Sequence, residues 1–149
     1  MIKSNLYDQL KIDEGVVHEI YIDTEGHPTF GVGHLVLDSD PESGLGTGTP
    51  VSEDRVNECL VQDVSTALDE CEVLYPQWNS LPSEVQEILA NMMFNMGRPT
   101  LSKFRNMNSA IDDEDWATAA VEGRDSKWYS FYFEFIIKMY KISKKNSKR

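Results

Sequence analysis

One long apolar stripe constrains this chain more than any other feature. Val56, Leu60, Val64, Ala67, Leu68, Cys71 and Leu74 recur at i, i+4, i+8 and i+11, the period of a single helix face. Ser52 offers an N-cap, Glu53 and Asp54 put negative charge in the first turn, and Pro76 stops the run. A helix of about 22 residues spans ~33 Å. Such a rod can link two lobes, and 149 residues are enough to bury a core.

The segments before the rod change period. Residues 4–12 read as a short helix, with Leu6 and Leu10 four apart and Gly15 near its C-cap. Residues 16–22 alternate, with Val16, His18, Ile20 and Ile22 on one strand face. Asp23-Thr24-Glu25-Gly26 is a turn signal, and residues 27–32 return as a second strand that Pro28 should place at an edge or distort. Gly31 and Gly33 predict a bulge or a close approach to the backbone. Residues 38–50, punctuated by glycine and proline, read as a loop. After the rod, Pro82 opens a helix as a first-turn proline. Val85, Ile88, Leu89, Met92 and Met96 form its stripe, and Gly97 with Pro99 ends it. Short helices follow at 106–111 and 113–122, the latter with Trp116, Ala119 and Ala120 inward.

Charge narrows the partners. The net charge is −11, split as −17 over residues 1–125 and +6 over residues 126–149. An acidic body argues against nucleic acid, because phosphate binding needs a basic face. No stretch reaches the ~20 apolar residues of a spanning helix. The N-terminal residues lack a signal-peptide hydrophobic region, so the expectation is a chain made in the cytoplasm. Cys59 and Cys71 lie twelve residues apart on the predicted rod, too far to bond to each other; they read as free thiols. Around His18, His27 and His34 there is no metal-ligand spacing, and no cofactor motif stands out.

The chemistry-bearing residues are a carboxylate pair. Glu14 closes a helix and Asp23 opens a turn nine residues on, with Thr29 six residues further on the returning strand. Glycosidic hydrolysis needs two acids in different environments, one protonated and one ionised. Spacing alone carries little weight in a chain with 25 acids. His34 has a catalytic reading and a bland one, pairing with a carboxylate; the bland one is preferred.

Taken together, Ile12-Asp13-Glu14-Gly15, Tyr21-Ile22-Asp23-Thr24-Glu25-Gly26 and Thr29-Phe30-Gly31-Val32-Gly33-His34-Leu35 strongly resemble the phage-type lysozymes, muramidases of glycoside hydrolase family 24. Gln62-Asp63-Val64, Asn91-Met92-Met93-Phe94-Asn95-Met96-Gly97, Trp116 and Ser126-Lys127-Trp128-Tyr129 extend the likeness. It implies an α+β, mostly helical fold with a sheet lobe at about 13–52 and a linking helix at 53–74. The helical lobe would take residues 80–130 with 1–12. It implies inverting hydrolysis of the β-1,4 bond between N-acetylmuramic acid and N-acetylglucosamine of peptidoglycan, by a monomer that acts at the bacterial cell wall without metal or cofactor. Glu14 would be the general acid, and Asp23 with Thr29 would hold and activate water. Leu35 and Phe94 would line the sugar cleft, and His34 with Asp63 would form a structural ion pair.

The chain departs from the family in three respects. Met107 and Glu122 occupy cleft positions where the family carries small polar residues. The negative charge should slow encounter with an anionic wall at low salt. Residues 131–149 are apolar and basic, and lack the arginine that the family places near its catalytic glutamate. That segment reads as a terminal helix packed on the body, with contact to a membrane surface as the second reading. The other function class consistent with these departures is a weakened peptidoglycan-binding or phage-tail structural module.

Overall fold

The computed structural model describes Met1, residues 3–124 and residues 141–142. The motif at 126–129 and most of the apolar-basic segment at 131–149 lie outside the described residues. The fold is α+β and mostly helical. Its elements are α1 (Lys3–Glu14), β1 (Val17–Ile22), β2 (Pro28–Gly31), β3 (His34–Leu35), α2 (Glu53–Leu74), a 3-10 turn (Trp78–Ser80), α3 (Ser83–Leu101), α4 (Arg105–Asp112) and α5 (Trp116–Arg124). The backbone divides into two compact units, Ile2–Thr66 and Met1 with Ala67–Arg149; the division falls within α2.

In the Ile2–Thr66 unit, α1 ends at Glu14, where the sequence places the close of that helix. Gly15 takes a left-handed φ of 75° and its N–H bonds the Lys11 carbonyl at 3.0 Å, which ends the helix. The sheet is antiparallel in the order β1-β2-β3. Pro28 is therefore in the central strand, not at an edge. It sits at the first position, opposite Ile22, next to the bonded pair in which the Asp23 N–H meets the His27 carbonyl at 2.9 Å. Bonded and non-bonded pairs alternate, so the proline nitrogen is not needed toward β1. The far edge of β1 is covered by residues 48–51, which bond its backbone through Ile20 and His18.

The predicted alternation along β1 does not hold. Ile20 alone in β1 is fully buried, and Ile22 is 50% exposed. The β1–β2 register shifts between Val17 and Tyr21. Such a bulge re-aims the side chains on either side of it.

α2 begins and ends as the stripe predicts, with the Arg55 N–H bonded to Ser52 Oγ at 3.1 Å. Val56, Cys59, Leu60, Val64, Ala67 and Cys71 are buried on it. Both cysteines are free, and burial pushes their thiols up, to about 11 for Cys59 and about 12 for Cys71.

In the other unit, Tyr75 is fully buried and donates to Asn108 Oδ1 at 2.6 Å, while Asn108 Nδ2 donates to the Leu101 carbonyl. That chain ties the end of α2 to α4, which packs on α5. Pro82 is the N-cap of α3, with extended ψ, and not a first-turn residue. Its carbonyl accepts the Gln86 N–H at 3.0 Å. Gly97 (φ 77°) breaks α3 where the sequence predicts its end; a short helical stretch then runs through Pro99 to Leu101. α5 starts at Trp116, three residues later than predicted, because Asp115 caps it by accepting the Thr118 N–H. Met107 is buried in the core of α4, which removes it from sugar contact.

Candidate active site

The Ile2–Thr66 unit gathers six of the seven residues singled out from sequence. Phe94 is the exception; it lies half-buried on α3 in the other unit. Glu14 is the last residue of α1, exposed as a whole side chain. Its carboxyl end nonetheless lies against the β2–β3 turn: a Cβ built on Gly33, where φ is +67°, would meet Glu14 Oε2 at 3.4 Å. Partial burial there, with Asp13 negative beside it, raises the Glu14 pKa above its ordinary 4.5. Both causes disfavour the anion. No ion pair among the described residues involves Glu14.

Asp23 is fixed by its own turn. Its Oδ1 accepts the backbone N–H groups of Glu25 at 2.9 Å and His27 at 2.8 Å. These two bonds orient the carboxylate and leave Oδ2 clear of protein donors among the described residues. Thr29, 2% exposed, is the register partner of Tyr21 on β1 and of Leu35 on β3. Its Oγ1 donates to the His27 carbonyl at 3.0 Å, so toward a ligand that oxygen can only accept. Leu35 stands beside it, 49% exposed.

His34 is held on both sides. Nδ1 lies 2.7 Å from Asp63 Oδ2 and Nε2 lies 2.8 Å from Asp40 Oδ2, with Phe30 tilted against the ring at 5.0 Å. The bond to Asp63 is the largest influence on its pKa; burial opposes it, and Asp40 adds to it, leaving the value raised above 6.5. Asp40 in turn is pushed up by burial, yet held below its ordinary 3.8 by the Leu37 N–H, His34 and Arg55. Arg55 extends the cluster, forking onto Glu42 and reaching Asp40 and Glu58. The sequence reading found Asp63 but missed Asp40 and Arg55. One signal was available: Arg55 is the sole lysine or arginine between Lys11 and Arg98.

This cluster makes stability pH-dependent. His34 has a raised folded pKa, so its contribution is complete below the unfolded value near 6.5 and is lost as pH rises through the folded value. Asp40 has a lowered one, so its contribution is present above about 3.8 and is lost as pH falls through the folded value. Thermal melts are expected to show a maximum in the mildly acidic range, and His34→Gln should flatten the alkaline fall. An equally steep alkaline fall in that variant would assign it to other groups.

Two carboxylates thus stand in unlike surroundings, with a buried threonine on the central strand. The phage lysozyme family model matches residues 11–130. The chain belongs to the phage lysozyme family. It is 33% identical over 144 residues to the probable T4-type lysozyme 2 of Dictyostelium discoideum, covering 84% of this chain and 85% of that protein. It is also 29% identical to the pre-baseplate central spike protein Gp5 of Enterobacteria phage T4, with 84% of this chain covered but 25% of that protein. The peptidoglycan hydrolase gp36 of Pseudomonas phage phiKMV is 28% identical, with 87% of this chain and 14% of that protein covered. The family motif therefore occurs in relatives of this chain both as nearly the whole protein and as a small part of a larger one.

Proposed function

We propose that this protein is an endo-acting muramidase that hydrolyses the β-1,4 bond between N-acetylmuramic acid and N-acetylglucosamine in bacterial peptidoglycan, acting at the cell wall. Glu14 is the general acid. Its raised pKa favours the protonated form that the leaving oxygen needs. Asp23 and Thr29 hold the attacking water. The observation that carries the reading is the polarity of their hydrogen bonds. Thr29 Oγ1 has given its hydrogen to His27, and Asp23 Oδ1 is occupied by two N–H groups. A water between Thr29 Oγ1 and Asp23 Oδ2 must donate to both, and its lone pair then faces outward.

The step balances. As the water oxygen bonds to the anomeric carbon, one water proton passes to Asp23, the glycosidic C–O bond breaks, and the Glu14 proton goes to the departing oxygen. Attack from the face opposite the leaving group inverts the anomeric centre. Leu35 offers apolar surface to the sugars, while His34 and Asp63 hold the sheet to α2. No step needs a metal or cofactor. The protein works as a monomer on the glycan strand.

The test is the product. Proton spectra recorded during digestion of purified peptidoglycan should show new muramic acid reducing ends appearing first as the α-anomer. First appearance of the β-anomer would overturn the inverting mechanism. Wall binding with no new reducing ends would overturn turnover and favour a binding or phage-tail structural module.

A further inference from the structure

Between the two candidate acids stands a side chain with no role in the scheme above. Tyr21 faces Thr29 directly across the β1–β2 ladder, and Thr29 faces Leu35 across β2–β3. Partners in register share a sheet face, with Cβ atoms about 5 Å apart. Tyr21, Thr29 and Leu35 therefore form one row. Asp23 opens the turn directly after β1, and its charge reaches the Tyr21 phenol. The phenol is half-buried, and no hydrogen bond among the described residues takes up its hydroxyl. It is not sealed away from water either, since no buried polar side-chain atom lacks a partner among the described residues.

We propose that Tyr21 is a sugar-contacting residue, whose hydroxyl donates a hydrogen bond to a ring substituent of a glycan laid along the Tyr21–Thr29–Leu35 row. The surroundings keep it a donor. Burial first, then the negative charges of Glu14 and Asp23, raise its pKa above 10, so the phenol stays neutral wherever the enzyme works. A phenol is also suited to glycans because its ring packs on the sugar's C–H face while its hydroxyl meets the polar edge. Thr29, already committed as a donor to His27, cannot make that contact. Leu35 can supply only apolar surface. The inference rests on the muramidase reading for the substrate class.

The experiment measures binding and turnover separately. Calorimetry with an alternating N-acetylglucosamine–N-acetylmuramic acid tetrasaccharide is run on Glu14→Gln, and on the same variant carrying Tyr21→Phe. One neutral hydrogen bond is worth about 0.5–1.5 kcal/mol, so Kd should rise about twofold to twelvefold. The Tyr21 ring resonances of the unsubstituted protein should shift as the tetrasaccharide is added. In the active enzyme, Tyr21→Phe should lower kcat/KM by a similar factor while the alkaline limb of the pH profile and the unfolding midpoint stay in place. An unchanged Kd with turnover intact overturns the contact alone. A moved alkaline limb also overturns it, since Tyr21 would then act through Glu14. Binding that weakens in a protein with no turnover upholds the contact and rejects the hydrolase. Absence of binding by the parent rejects both.

Discussion

Replacing Glu14 with glutamine is expected to cut the rate of peptidoglycan clearing by about 10²–10⁴-fold, the usual range for removing a positioned general acid, while leaving the fold intact. The two halves of that expectation have one cause. A carboxyl whose folded pKa lies above its ordinary value is disfavoured as the anion, so at neutral pH it weakens the folded state slightly. Glutamine has the shape of the protonated acid without a proton to give. The variant should therefore unfold at a midpoint equal to or above that of the parent, by urea titration, while losing activity. The parent's own activity should fall as pH rises through the Glu14 pKa, because the acid must hold its proton. Clearing that persists in Glu14→Gln would remove Glu14 from the acid role.

Arg55→Ala should produce the largest loss of stability. Its guanidinium donates from Nε and Nη2 to the Glu42 carboxylate at 2.9–3.2 Å, from Nη2 to Asp40 and from Nη1 to Glu58. Asp40 and Glu42 are only 14% and 12% exposed. Without the cation, two partly desolvated anions face each other beside a third. Removing one partner of a buried ion pair costs about 3–5 kcal/mol; with Arg55 itself 21% exposed, about 2–3 kcal/mol is expected in denaturant unfolding. Arg55→Lys should recover part of this as a point charge and lack the fork that meets Glu42. An unchanged midpoint in Arg55→Ala would show that solvent replaces the guanidinium at no cost.

The helices were legible because their signals are local. The stripe on α2 and its Ser52 cap predict both ends, and Gly15 and Gly97 mark stops by a backbone conformation that other residues resist. The sheet was less legible. The bulge in β1 leaves no trace in the alternation of Val16, His18, Ile20 and Ile22, and Pro28 is tolerated in the middle strand only because of its place in the ladder. α5 was misplaced because four consecutive acids offer several caps, and geometry selects Asp115. The trio Glu14, Asp23 and Thr29 was found through resemblance, since 25 acids make spacing alone uninformative. The contacts that define the site's electrostatics, Asp40 on His34 and Gly33 against Glu14, depend on where a turn returns the chain. The sequence names the residues there but not their neighbours.

The two thiols on α2 give the molecule a pair of built-in unfolding clocks. Cys59 lies in the Ile2–Thr66 unit and Cys71 in the other, each buried and each protonated far above neutral pH. Only the thiolate reacts with alkylating reagents, so each cysteine is silent until its surroundings open. The rate at which each acquires an alkyl tag, resolved by peptide mass, would report the opening of its own unit. Whether the sheet-bearing half and the helical half loosen together or in turn can be read from the native chain without adding a label site.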